Sequence, residues 1–225
     1  MQRARLWLRR GLLLHHEVQR QPNAPWKVIE DPLIRRTGVQ NFAILGLGRI
    51  GTAVALRAKA FGFRVVFYDP YRPNGTELAL GVDRVRTLDE LLRRADVLSL
   101  HAPLTPETRG MIGARELALL PEGAVLVNTA RGGIVDTDAL GEALRGGRLA
   151  GAGIDALPNE PPDPVPALLA AYRAREKWLE GRLIVTPHSA FHSPHAWADI
   201  RRKSAETMAA ALAGRPENVI APETA

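Results

Sequence analysis

Short apolar runs alternate with stretches of helical periodicity from residue 41 onward. The runs are Phe42–Leu45, Val65–Tyr68, Val82–Val85, Val97–Leu100, Ala124–Val127, Ala150–Ile154 and Leu183–Val185, and each reads as a strand. Between them Ile50–Phe61, Leu88–Arg94, Arg115–Leu120, Thr137–Arg145 and Pro164–Leu179 read as helices, with a last one near Pro194–Ala213. Start signals support several of these. Thr87-Leu88-Asp89-Glu90 is a capping box, and Thr105-Pro106 puts an N-cap residue before a first-turn proline. Such alternation predicts a mostly parallel sheet with helices on both faces: α/β, doubly wound. Ahead of it, residues 1–20 place Leu6, Trp7, Leu8, Leu12, Leu13, Leu14 and Val18 on a helix with a broad apolar face, weakened at Gly11. Residues 21–38, with three prolines and a glycine, read as a connecting loop. The expected organisation is a helix and linker over 1–40, an α/β domain over 41–213 and a tail over 214–225.

Composition narrows the class. A chain of 225 residues fits one large domain with an attachment, or a domain with a fragment. Hydrophobic residues at 46% and charged ones at 24% exclude a disordered chain. No apolar run approaches the roughly 18 residues that would span a bilayer. The first twenty residues lack a small-residue cleavage site. With no Cys there are no disulfides, thiolate metal ligands or Cys nucleophile, which fits a cytoplasmic protein, and no metal site is expected. The net charge of +6 invites a nucleic-acid reading. Residues 1–40 hold eight Lys and Arg against three acids, while residues 41–225 hold 22 against 21, so the excess belongs to the N-terminal segment. Of the 30 basic residues 26 are Arg, beside 33 Ala, a bias that by itself explains the charge. The basic helix is read as solvated or dimer-facing rather than as a phosphate-binding patch.

Candidate chemistry begins at Asn41-Phe-Ala-Ile-Leu-Gly46-Leu-Gly48-Arg49-Ile50-Gly51, a strand running into Gly-x-Gly-x-x-Gly and then a helix. In that context Gly46 permits the tight turn, Gly48 lets backbone approach a pyrophosphate, and Gly51 allows close helix–strand packing. The diphosphate would sit on free N–H groups at the helix N-terminus, with Arg49 adding a charge-assisted contact. The second strand delivers Asp69, whose carboxylate suits the adenosine ribose hydroxyls and repels the extra phosphate of NADP. NAD is therefore the expected cofactor, with Arg72 able to soften the preference.

Three further motifs follow strands, at the ends where open α/β sheets place their ligands. They are Asn128-Thr129-Ala130-Arg131-Gly132-Gly133, Gly153-Ile154-Asp155-Ala-Leu-Pro-Asn-Glu160-Pro161, and Thr186-Pro187-His188. Each alone reads equally well as an exposed Arg, a loop acid or a turn histidine. Together, downstream of the glycine loop, they resemble the NAD-binding domain of the D-isomer-specific 2-hydroxyacid dehydrogenases. Residues 55–75 are similar to the branch that includes the C-terminal-binding-protein corepressors and their bacterial relatives.

The resemblance implies hydride transfer between NAD(H) and a small 2-keto or 2-hydroxy acid, with Arg131, Glu160 and His188 as the catalytic residues. Protonated His188 would give the carbonyl oxygen its proton, Glu160 would orient the imidazole and favour its charged form, and Arg131 would hold the substrate carboxylate. It also implies that Asp155 meets the nicotinamide carboxamide and that Ile50, His101, Ala102, Pro103, Thr108, Thr129, Ala130 and Ser189 lie along the cofactor. Two departures stand out. A long insertion, residues 161–183, is closer to some bacterial members than to the corepressors. Phe191 stands where the corepressors carry a Trp, and His192 and His195 are expected to be surface residues. Family members also carry a substrate domain ahead of the N-terminal helix, and that domain is expected to be largely missing here. Turnover is expected to need both walls of the cleft. The helix would serve a homodimer. A nucleotide-responsive binding module without catalysis is the alternative that the resemblance leaves open.

Overall fold

The computed structural model describes residues 18–28, 35–217 and 219. Most of the helix expected over 1–20 lies outside them, and residues 18–19 are helical. The chain divides into two compact units, Met1–His188 and Ser189–Ala225.

In the first unit the apolar runs form β1 (Asn41–Leu45), β2 (Arg64–Tyr68), β3 (Asp83–Arg84), β4 (Val97–Leu100), β5 (Ala124–Asn128), β6 (Leu149–Ile154) and β7 (Leu183–Val185). They make one parallel sheet in the order β3-β2-β1-β4-β5-β6-β7. The crossovers carry α1 (Arg49–Ala60), α2 (Thr76–Leu80), α3 (Leu88–Arg93), α4 (Ala114–Leu119), α5 (Thr137–Arg145) and α6 (Ala167–Arg173). Strands covered on both faces favour apolar side chains on both, which is why Val97, Leu98 and Leu100 of β4 and Ala124–Val127 of β5 do not follow a strict apolar–polar alternation. The two faces bury separate clusters. Ala43, Leu45, Leu98, Leu100, Leu126 and Ile154 pack on one side, and Phe42, Ile44, Val65, Phe67 and Val97 on the other. The expected doubly wound α/β class is the observed one. In the second unit α7 (Pro194–Leu212) starts at Ser193, whose hydroxyl accepts the Ala196 N–H at 3.0 Å.

Four local details differ from expectation. The helix expected over Pro164–Leu179 stops at α6, because Arg175 takes a left-handed conformation (φ 56°) and the chain closes a Schellman pair, Glu176 N–H to Ala171 C=O and Arg175 N–H to Tyr172 C=O. Gly is the usual residue there, so an Arg left no stop signal; a separate 3-10 turn, Lys177–Leu179, follows. At Thr105-Pro106 the hydroxyl of Thr105 does accept the Thr108 N–H, at 3.3 Å, as a cap would. Thr108 Oγ1 then donates to the Pro103 carbonyl at 2.6 Å and Gly110 turns left-handed (φ 64°), so a single turn forms and no helix. The five-residue α2, held between two left-handed glycines, Gly75 and Gly81, was not expected and is too short to show a period. At Thr87 the cap forms, with Glu90 N–H on the hydroxyl at 3.2 Å, but the Glu90 carboxylate reaches back to the N–H of Arg86.

Candidate cofactor and active site

Register decides where the chemistry sits. Tyr68, Leu45, Leu100, Asn128, Ile154 and Val185 lie in one row across six neighbouring strands. The next residue of each strand therefore falls in a second row along the C-terminal edge: Asp69, Gly46, His101, Thr129, Asp155 and Thr186. The ladder continues into that row through Gly46 N–H to Tyr68 C=O at 3.0 Å, His101 N–H to Leu45 C=O at 2.8 Å, and Asp155 N–H to Asn128 C=O at 2.9 Å. At about 4.8 Å per strand the row runs roughly 24 Å. Residues separated by more than a hundred positions thus share one open edge, and β1 marks the switch point between its two halves.

The glycine loop sits at that switch point. Gly46 is left-handed (φ 86°), and a Cβ on it would come 2.8 Å from the backbone nitrogen of Ala102. A Cβ on Gly51 would lie 2.1 Å from the Gly46 carbonyl oxygen. Both positions therefore need glycine for the fold itself. Gly48 is different. It caps α1 with ordinary dihedrals (φ −72°, ψ −162°), and the nearest atom to an added Cβ is Arg72 Nη2 at 3.8 Å. The fold leaves the space above Gly48 open, which is the room a pyrophosphate needs. Beside it Arg49 and Ile50 are exposed, Ile50 at 66%. An apolar side chain left that open at a helix start suits a surface that a dinucleotide covers.

Asp69 accepts the Leu47 N–H at 2.8 Å and the Tyr71 N–H at 3.0 Å, so its carboxylate faces the glycine loop. Arg72 Nε stands 3.7 Å from Asp69 Oδ2. On the other flank His101 is largely buried, and Ser99 Oγ shares a 2.9 Å hydrogen bond with its Nε2. Burial pushes the imidazole down from 6.5 to about 4. Ala102 and Thr108 are buried and Pro103 is exposed. The His101 shift has a stability consequence. A histidine with a depressed folded-state value binds fewer protons folded than unfolded between pH 6.5 and 4, so stability rises with pH in that window. About 2 kcal/mol should be lost between pH 7 and pH 5, lowering the melting temperature by about 4–8 °C. Thermal melts of His101→Asn and the unaltered protein at both pH values check this; an equal drop in the two would assign it elsewhere.

At the far end of the row the three motifs converge. Buried Asn128 accepts the Ala130 N–H on Oδ1 at 3.1 Å and donates Nδ2 to the Arg131 carbonyl at 3.0 Å, which shapes the Thr129–Ala130 turn. A Cβ on Gly132 would lie 1.9 Å from the Leu157 carbonyl carbon, so the loops after β5 and β6 touch here. Arg131, next to that contact, is exposed, with Nη1 on the Ala130 carbonyl at 2.8 Å. Asp155 is 3% exposed and accepts the Thr186 hydroxyl at 2.5 Å. Its carbonyl also accepts the His188 N–H at 2.7 Å. His188 is held left-handed (φ 48°), a conformation that costs a non-glycine residue on the order of 1–3 kcal/mol and recurs at functional sites. Its Nδ1 lies 2.6 Å from Glu160 Oε2, while Glu160 Oε1 accepts the Leu157 N–H at 2.8 Å. A carboxylate only accepts, so Nδ1 carries the hydrogen in this pair.

Two contributors escaped the sequence reading. Thr186 fixes the Asp155 carboxylate and Asn128 fixes the turn before Arg131, though both stand inside the quoted motifs. The insertion also acquires a place. It supplies Leu169, Tyr172 and Arg173 to a cavity of about 460 Å³ bordered by Glu160 and His188. Ser189 belongs to the second unit, where its carbonyl accepts the His192 N–H at 2.9 Å. There His192 Nδ1 accepts the Trp197 indole N–H at 2.9 Å, and the Phe191 ring packs on Trp197 at 5.8 Å. His192 and His195 are exposed, as expected of surface residues, and His192 also takes part in this aromatic cluster. Among the described residues no cluster of metal-ligating side chains occurs, and no helix is long and apolar enough to cross a membrane.

Comparison with known proteins shows the family. Residues 6–190 match the family model described as D-isomer specific 2-hydroxyacid dehydrogenase, NAD binding domain. The chain is 39% identical over 182 residues to a D-3-phosphoglycerate dehydrogenase of Methanocaldococcus jannaschii, covering 80% of this chain and 33% of that protein. It is 40% identical over 199 residues to a glyoxylate reductase of Korarchaeum cryptofilum, covering 87% and 57% respectively. A D-lactate dehydrogenase of Lactobacillus jensenii crystallised with NAD+ superposes with a TM-score of 0.78 at 28% identity, over 99% of this chain and 66% of that one. The chain thus spans between a third and two thirds of these relatives. With the glycine loop, the strand-end row and the matched residues in agreement, the chain belongs to the D-isomer-specific 2-hydroxyacid dehydrogenases, through their NAD-binding domain.

Proposed function

We propose that this chain is the cofactor-binding and proton-donating part of an NAD-dependent dehydrogenase for D-2-hydroxy acids, working on a small 2-keto or 2-hydroxy acid. The observation that carries the reading is the 2.6 Å His188–Glu160 pair, set on the same strand edge as the glycine loop and Asp69. A strained histidine with one nitrogen tied to a carboxylate is costly to build and serves proton transfer better than it serves packing.

NAD, when bound, supplies or accepts the hydride. Gly46, Gly48 and Gly51 with the first turn of α1 would hold the diphosphate, Asp69 the adenosine ribose, and Asp155 the carboxamide end. The remaining work belongs to three side chains. Arg131, planar and always charged, pairs with the substrate carboxylate and polarises the neighbouring carbonyl. His188, protonated on both nitrogens, gives its Nε2 proton to the carbonyl oxygen during reduction and takes it back during oxidation. Glu160 keeps Nδ1 protonated throughout, so one proton moves per turnover and the imidazole stays oriented.

The test is twofold: titrate NAD and ADP-ribose calorimetrically, then follow NADH at 340 nm with a panel of 2-keto acids including glyoxylate and hydroxypyruvate. Tight NAD binding with turnover supports the dehydrogenase. Tight binding with no turnover across the panel leaves a nucleotide-responsive binding module.

A further inference from the structure

Arg84, on the edge strand β3, is not one of the residues proposed to meet cofactor or substrate, yet its side chain is only 7% exposed. A guanidinium cannot shed its charge, so burial obliges it to spend its donors on acceptors nearby. Here nearly all of them belong to a single turn. Nη2 donates to the Asp69 carbonyl at 3.1 Å and the Arg72 carbonyl at 2.8 Å, and Nη1 donates to the Pro73 carbonyl at 3.1 Å. The charge is balanced by Glu77 Oε2 at 3.7 Å, a buried oxygen with no hydrogen-bond partner among the described residues. The guanidinium carbon also stands 5.7 Å from the centre of the Phe67 ring. The turn so gripped is the one that presents the Asp69 carboxylate to Leu47 and carries Arg72 beside it.

We propose that Arg84 is a positioning residue for the adenosine end of the site. It holds the Asp69–Pro73 turn in its binding form before any nucleotide arrives. The turn is otherwise a connection holding two prolines, and ordering it on binding would cost affinity. The proposal rests on the reading of Asp69 as the ribose-binding carboxylate.

Its test is the affinity for ADP-ribose, which needs no turnover. Arg84→Met should weaken binding roughly tenfold, as expected for losing charge-assisted hydrogen bonds that hold a binding loop. Arg84→Lys, a point charge that reaches fewer carbonyls, should fall between. A matched control separates positioning from stability. Arg182 likewise donates to the carbonyls of Leu144, Leu149, Ala150 and Trp178, far along the sheet from Asp69. Arg182→Met should lower the melting temperature and leave ADP-ribose affinity unchanged. Unaltered affinity in Arg84→Met overturns the proposal, as does an equal loss in Arg182→Met. Should Arg84→Met not fold, Arg84→Lys carries the same comparison. Asp69→Ala distinguishes the two levels: if it binds ADP-ribose normally the ribose reading fails, and if it is impaired while Arg84→Met is normal only the role of Arg84 fails.

Discussion

Gly48→Ala is expected to fold as the unaltered protein does and to bind NAD about 100-fold more weakly, a change of roughly 2.7 kcal/mol. The nearest protein atom to the new methyl is 3.8 Å away, so nothing in the fold resists it. Alanine is a poorer N-cap than glycine by up to about 1 kcal/mol, but its unfolded chain is stiffer by a similar amount, and the two offset. Only a group occupying the space above α1 would meet the methyl. Gly51→Ala should behave in the opposite way. Its methyl would lie 2.1 Å from the Gly46 carbonyl, so stability and binding fall together. Melting temperature and calorimetric affinity, measured on both variants, separate a glycine kept for a ligand from one kept for packing. Normal NAD affinity in Gly48→Ala would contradict the placing of the diphosphate there.

The second large effect concerns turnover. His188→Gln should lower the rate of 2-keto acid reduction by about 10²–10⁴ while leaving NAD affinity within about twofold. Glutamine keeps a hydrogen-bonding group at this position but has no proton to give. Glu160→Gln keeps a polar partner beside Nδ1 and removes the charge that stabilises an imidazolium, so a smaller loss is expected, about tenfold to a hundredfold. Steady-state rates at saturating NADH are the measurement. A His188→Gln enzyme with an unchanged rate would show that the proton comes from elsewhere.

Much of this was legible from short stretches of chain. The glycine spacing, Asp69 after the second strand, and the Arg131, Glu160 and His188 motifs are each local, and each sits where its strand stops. The illegible parts share one cause, dependence on distant or unsignalled backbone. Arg175 ends α6 in a left-handed conformation that favours glycine, so the sequence continues as if helical. The Thr105 turn starts with a genuine cap and fails to propagate because Thr108 is drawn back to Pro103. Arg84 looks like one arginine among 26, and only its burial against three carbonyls of one turn distinguishes it.

What the sequence by itself determined is the list of parts: an α/β chain of parallel strands, a dinucleotide loop, and three strand-end motifs that resemble those of the D-2-hydroxyacid dehydrogenases. Apolar runs and glycine spacings act over a few residues, so they can be read in order. Only the tertiary structure decided that Tyr68, Leu45, Leu100, Asn128, Ile154 and Val185 fall in register, which sets the following residues along one edge. It alone decided that His188 meets Glu160 across 28 positions of chain. Register is a property of strand pairs joined through long crossovers, and packing of both sheet faces selects it; no single stretch of the chain contains it.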